Sequence, residues 1–323
     1  MRIDPSIAAL RGGAGRQRHA QARLERIKAD WLTAPAMAAA LQAFERYGDG
    51  APLADCPALA ALVSEPGAAR AAVDALAEAM IGGLEESPFG HVPFRHQYAD
   101  GLAVLQLARS GRTTLSLMQY APPEGAVAPD SVCFTDGERH EICLAGEARA
   151  RHVSIAGKPS DEVRLDCRAM PIESGWRRSF AGRGETKIVD RVRGRLVLLR
   201  LSRQAAEPLP SLEYRLADGV LLHRAAGDLR ESRQELMIAL LGRMGRQDAA
   251  PAIARLTRAG SDSLRWQALR ECLALDSARG FRALSRMARD ASDPLHRLAC
   301  ALRGDLLARY PQLAGMEDEP CPA

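Results

Sequence analysis

Lysine, aromatic residues and long apolar runs are all scarce in this chain. Lys28, Lys158 and Lys187 are the only lysines among 44 basic residues, so nearly all positive charge is arginine. Arginine forks onto phosphate and guanine. A GC-rich coding sequence with abundant alanine gives the same bias, and a net charge of +4 speaks to solubility rather than to fold. Aromatics amount to 4%, which argues against a single-strand binder that stacks bases. No apolar run approaches the ~20 residues a membrane helix needs. Met1-Arg-Ile-Asp-Pro5 leads into no stretch apolar enough for a secretory signal, so a cytoplasmic protein is expected. The seven cysteines are odd in number and include no C-x-x-C. That excludes a dense disulfide framework and the usual structural zinc spacings, and leaves most of them as small buried hydrophobes. G-x-S-x-G, a Walker A loop, H-E-x-x-H and a strand-to-helix G-x-G-x-x-G are absent as well, and Gly182-Arg-Gly184-Glu-Thr reads as a turn.

What is present divides the 323 residues into three regions, enough for more than one domain. Residues 1–81 hold 24 alanines and residues 130–204 only six, so the first region should be helical and the second not. Helices are expected over 16–32, over 36–47 (Pro35 at the first turn, Gly48 at the stop) and from Pro66 to Gly82-Gly83. In the last, Ala69, Val73, Leu76, Ala77 and Met80 form an apolar stripe poor in large side chains. This region, 1–84, should therefore pack against the next rather than fold alone. Its basic segment Arg11–Lys28 has only Leu24 and Ile27 as large apolar residues and reads as a solvated, partly frayed arm.

From Phe89 to about Arg224 the period falls to two, predicting about eleven short strands in a β-sandwich, jelly roll or barrel over 85–227. Ser110-Gly111 and Asp136-Gly137 mark two hairpins. The second would pair Cys133 with His140. His140 then shares a face with Ile142 and Leu144, while Glu141 points the other way. From Asp228 the helical period returns with an internal repeat. Asp262–Arg270 aligns with Asp293–Ala301 at an offset of 31, and Ala250–Leu256 with Ala278–Leu284 at an offset of 28. A period near 30 marks an α-solenoid. Leu236–Arg258 and Leu264–Arg289 resemble HEAT-like repeats, which implies two and a half to three repeats over 228–311 and a concave surface for a protein partner. Trp266, Leu269, Leu273, Phe281, Leu284 and Leu298 should form the core of this part. Residues 312–323, acidic and Pro-containing, read as a disordered tail.

In the β region, Arg139-His-Glu-Ile-Cys-Leu-Ala-Gly-Glu-Ala-Arg-Ala-Arg151 resembles the first cupin motif, with Glu141 at its glutamate and Gly146 at its turn glycine. Pro171-Ile-Glu-Ser-Gly175-Trp176 resembles the Pro/Gly turn of the second. The resemblance implies a cupin-like β core and, in metal-dependent members, a divalent metal held by that glutamate and by histidines at the barrel mouth. The chain departs from the pattern where those histidines belong. Thr135 and Gly137 stand before Glu141, and Arg177 and Arg178 follow Gly175. Neither turn residues nor arginines replace imidazoles as ligands.

The expected fold class is thus α+β, with N-terminal helices, a central cupin-like or jelly-roll β core and a C-terminal HEAT-like α-solenoid. The leading functional reading is a non-catalytic binding, regulatory or accessory protein, with no cofactor, whose core takes a small ligand and whose helical repeats hold a protein partner. Arg177 and Arg178 beside Trp176 could clamp a small anionic ligand. The alternative is a non-haem Fe(II) enzyme, with His91, His96, His140, Glu141 and His152 as candidate ligands. A third reading is nucleic-acid binding through the solenoid, where Asp228–Tyr310 holds 15 Arg and ten acidic residues. The arginines scatter along the helices as on a solvated face, so nucleic acid is not the expected partner.

Overall fold

In the computed structural model, residues 14–316 are described, apart from 87, 122–124 and 126. They form two compact units. One reaches to Pro208 and takes in Leu212–His223; the other comprises Leu209–Ser211 and Arg224 onward.

The first unit begins with helices α1 (Gly15–Thr33), α2 (Pro35–Gly48), α3 (Pro57–Ser64) and α4 (Pro66–Glu86). Of the Arg11–Lys28 segment, Arg11–Gly13 fall outside the described residues; from Gly15 on it is helical, with Ala20 and Leu24 buried rather than solvated. The stripe on α4 buries Ala69, Val73, Leu76 and Met80, whereas Ala77 is exposed. Gly82-Gly83 does not end the helix. A Cβ at Gly83 would lie 2.6 Å from Ile27 Cδ1 and 2.9 Å from Leu24 Cδ2, so this glycine lets α1 and α4 approach closely.

Among the described residues ten strands follow, where about eleven are expected: β1 (Arg95–Ala99), β2 (Leu102–Ser110), β3 (Thr113–Tyr120), β4 (Ser131–Phe134), β5 (Gly137–Ala156), β6 (Arg164–Ala169), β7 (Arg177–Ala181), β8 (Glu185–Gln204), β9 (Ser211–Arg215) and β10 (Leu221–Ala225). A seven-stranded antiparallel sheet runs β1-β2-β3-β8-β5-β6, with β7 also paired to β5. A smaller sheet runs β10-β9-β4. The hairpin expected at Asp136-Gly137 does not form. β4 pairs with β9, Cys133 opposite Glu213, so Cys133 and His140 are not cross-strand neighbours.

Two 20-residue strands, β5 and β8, each join what the sequence pattern divides into two. Gly146 is the reason for β5. It sits at φ +93 inside the strand, where the register shifts, and a Cβ there would fall 1.9 Å from the Arg195 carbonyl oxygen. The glycine makes a bulge, not a turn. One face of the large sheet packs under the helices: Leu24, Phe44, Tyr47, Leu59 and Leu76 share a core with Leu115, Ile142, Leu144, Leu199 and Leu201. The helical region and the sheet thus share one core. The other face meets the small sheet through Val132, Phe134, Leu212 and Tyr214 against Val153 and Ile188.

The second unit holds α5 (Leu229–Arg243), α6 (Ala250–Leu256), α7 (Asp262–Leu275), α8 (Ser277–Arg289) and α9 (His296–Arg309). The repeat pairs occupy matching core positions. Leu264 and Ala268 in α7 correspond to Leu295 and Ala299 at the start of α9, and Ile253 in α6 to Phe281 in α8, all buried. Arg265 salt-bridges both repeat aspartates, Asp262 and Asp293. Leu269, Phe281 and Leu284 are fully buried, with Trp266 and Leu273 packed partly against them. Leu298, expected in this core, is 55% exposed. The inward stripe of α9 runs through Ala299, Leu302 and Leu306, and Leu298 lies at its outer edge, about 100° round the helix from Ala299. The tail expected over 312–323 starts instead within a 3-10 turn, Pro311–Met316; the remainder falls outside the described residues. Among the described residues no helix is long and apolar enough to cross a membrane.

Candidate functional site

Alternation along β5 sends neighbouring residues to opposite faces of the sheet. His140, Ile142 and Leu144 turn to the helices. There the Tyr47 hydroxyl donates to Glu138 Oε2 at 2.8 Å and lies 3.3 Å from His140 Nε2. Arg203 donates to Glu138 Oε1 at 2.9 Å and sits over the Tyr47 ring, 3.9 Å from its centroid. His140 Nδ1 is 2.7 Å from Ser179 Oγ. Burial pushes the His140 imidazole below its ordinary value. Tyr47 is pushed up by burial and by its hydrogen bond to Glu138. His140 is therefore a hydrogen-bonded interior histidine that ties a helix to the sheet.

Arg139, Glu141 and Cys143 face the other way, toward the small sheet. A cavity of about 1100 Å³ opens there, lined by Arg139, Thr186, Lys187 and Arg200 together with apolar side chains such as Leu102, Val132 and Ile188. Glu141, 1% exposed, lies against these cations. Its Oε1 accepts from Arg200 Nε at 2.7 Å and pairs with Arg200 Nη2 at 2.6 Å, while its Oε2 accepts from Lys187 Nζ. Burial alone would raise the carboxyl; Arg200 and then Lys187 overcome it and hold Glu141 at about 2. Arg139 donates to Thr186 Oγ1 at 2.9 Å and stands 5.1 Å above the Phe180 ring. Burial and the neighbouring Arg200 push its guanidinium down from its ordinary value.

This donor set does not fit a divalent metal. Both oxygens of Glu141 are already taken by cations, and a metal there would meet two like charges in a poorly solvated site. Among the described residues no three His, Cys, Asp or Glu side chains are grouped as a metal would need. The candidate ligands are dispersed. His91 is exposed, its backbone N–H donating to Gln21 Oε1 at 3.0 Å. His96 lies on exposed β1 with Nδ1 3.0 Å from the Phe94 carbonyl. His152 stacks on Phe180 and pairs with Glu185 Oε2 at 2.7 Å. His140 and Glu141 lie on opposite faces, as the alternation requires. Of the three clamp candidates, Trp176 packs beside the inner core, Arg177 donates to the Ser64 carbonyl at 3.2 Å, and Arg178 lies 3.8 Å from Glu185. None of the three lines the cavity.

The cations that do line it are absent from the sequence-derived set. Two signals point to them. Lys187 is one of three lysines in the chain. Arg200 interrupts a run, Leu196–Leu201, that is apolar on both faces, where a charge needs a buried partner.

No known protein family matches the sequence, and no curated protein does. Among solved structures the chain is similar to a cupin superfamily protein from Desulfitobacterium hafniense, at 16% identity over 34% of this chain and 83% of that one, with a TM-score of 0.23. It is similar to hydroxypropylphosphonic acid epoxidase from S. wedmorenis at 10% identity, over 34% of this chain and 55% of that one, with a TM-score of 0.27. It is also similar to the CENP-C cupin domain of Drosophila melanogaster, at 12% identity over 34% of this chain and 74% of that one, with a TM-score of 0.26. The chain thus spans little more than half of the epoxidase.

Proposed function

We propose that this chain is a non-catalytic binding protein. A cupin-like β core takes a small ligand in the 1100 Å³ cavity without a metal, and the C-terminal helices act as HEAT-like repeats that hold a protein partner. One observation carries the reading. Glu141, at the position where the cupin-like motif places a metal-binding glutamate, is neutralised by Lys187 and Arg200 from β8. The protein's own cations thereby supply the charge a metal would bring. Cavity size and mixed lining suit a small molecule, while stacked helix pairs suit a protein surface. Calorimetric titration of the metal-stripped chain with Fe(II) under anaerobic conditions, and then with Zn(II), tests it. No heat above dilution is expected; stoichiometric binding tighter than about 1 μM, ~8 kcal/mol, overturns it in favour of the metalloenzyme alternative.

A further inference from the structure

The charges around the cavity do not balance. Lys187 and Arg200 share Glu141, but Arg139 makes no ion pair among the described residues, and its one hydrogen bond goes to a neutral hydroxyl, Thr186 Oγ1. A guanidinium has five donors in a planar fork, so most of those on Arg139 remain open. Of the two carboxylates lining the cavity, Asp190 is engaged three times by Arg151, at 2.7–3.1 Å, and Asp100 sits in the turn between β1 and β2. Arg191 adds a further, exposed cation. Arg139 is half-buried and close enough to Arg200 for the two cations to repel; an oxyanion placed against them relieves that repulsion, and a fork geometry favours two parallel hydrogen bonds to it. The remaining surface is different in kind: Leu102, Val132, Ile188, Val189 and Val192 offer aliphatic wall.

We infer that the ligand is a small amphiphilic organic anion, its oxyanion head on the Arg139 fork and Thr186 and its apolar body against the aliphatic wall. The inference rests on the small-ligand reading of the cavity and narrows it to one chemical class. A carboxylate and a phosphate monoester share the head-group chemistry. Glu141 is then a positioning residue that holds Lys187 and Arg200 in place and leaves Arg139 to the ligand.

Isothermal titration of the full chain with octanoate, octyl phosphate, octanol and inorganic phosphate tests this. At least one of the two octyl anions should bind tenfold or more tighter than octanol and than inorganic phosphate, and the better one identifies the head group. Arg139→Gln should abolish the preference over octanol. If that variant does not fold, Thr186→Val, which removes the hydroxyl holding the fork, should reduce the preference threefold or more. A location readout is independent of affinity: Cys133 is exposed and lines the same cavity, so the bound anion should slow its alkylation by iodoacetamide while exposed Cys300 reacts as before. Octanol binding as tightly as the anions overturns the anion inference and leaves the small-ligand reading standing. A preference that survives Arg139→Gln, or an unprotected Cys133, overturns this placement of the head group. Absence of binding by all four probes overturns both.

Discussion

Glu141 keeps its charge because β8 brings two cations to it, and each cation depends on the carboxylate in return. Removing one member of a buried ion pair costs about 3–5 kcal/mol, because the partner stays buried and unpaired. Glu141→Gln should lower the unfolding free energy by that amount in urea titration, and adding Lys187→Met should recover part of it. The pH dependence has a definite sign. The folded carboxyl titrates at about 2 against an ordinary 4.5, so its stabilisation is complete above about pH 4.5 and is lost as pH falls through 2. Glu138, Glu185 and Asp293 are also held below their ordinary values by their cation or histidine partners. Stability therefore falls over this window in both proteins, and the fall should be larger in wild type than in Glu141→Gln by on the order of 3 kcal/mol. The position of Glu141, and its opposition to His140, could be read from the motif and from simple alternation. Its partners could not: Lys187 and Arg200 lie 46 and 59 residues away, and their arrival depends on the β5–β8 register, which no local pattern states.

Where an element begins and ends follows from packing as often as from its own residues. Gly146 carries a turn residue's signature yet lies within β5, because the Arg195 backbone needs the space a Cβ would fill. Gly146→Ala combines that clash with a left-handed φ of +93 and should cost at least about 2 kcal/mol, read as a lower denaturation midpoint with unchanged slope. The second hairpin was illegible for a related reason. Asp136-Gly137 has the right composition for a two-residue turn, but β4 finds a better partner in β9, where Val132 and Phe134 join the core between the sheets. By contrast most of the helical stripe of α4 (Ala69, Val73, Leu76 and Met80, though not Ala77) and the inward positions Leu269, Phe281 and Leu284 of α7 and α8 were legible, since a 3.6 period needs no distant partner.

Each of the two units has cores of its own. In the helical unit these centre on Ile253 and Ala268 and on Leu269, Phe281 and Leu284. Two calorimetric transitions are therefore expected from the full chain. Leu269→Ala should cost about 2–5 kcal/mol and shift only the transition of the helical unit, by roughly 10 °C or more for a domain near 100 residues. Leu298→Ala, on the exposed side of α9, should stay within about 0.5 kcal/mol. A common shift of both transitions in Leu269→Ala would show that the units unfold together. Leu264 and Ala268 stand 31 residues before Leu295 and Ala299, and all four are buried.

β5 is written like a text in two interleaved alphabets. Its even residues, His140, Ile142 and Leu144, speak to the helices, and its odd ones, Arg139 and Glu141, to the cavity. Loss of the codon for Arg139 or for His140 would therefore do more than shorten the strand. It would turn Glu141 into the hydrocarbon under the helices and an isoleucine toward Lys187 and Arg200. Over this stretch the lineage can exchange residues but cannot drop one, so descendants should vary there by substitution while gaining and losing residues freely in the turns on either side.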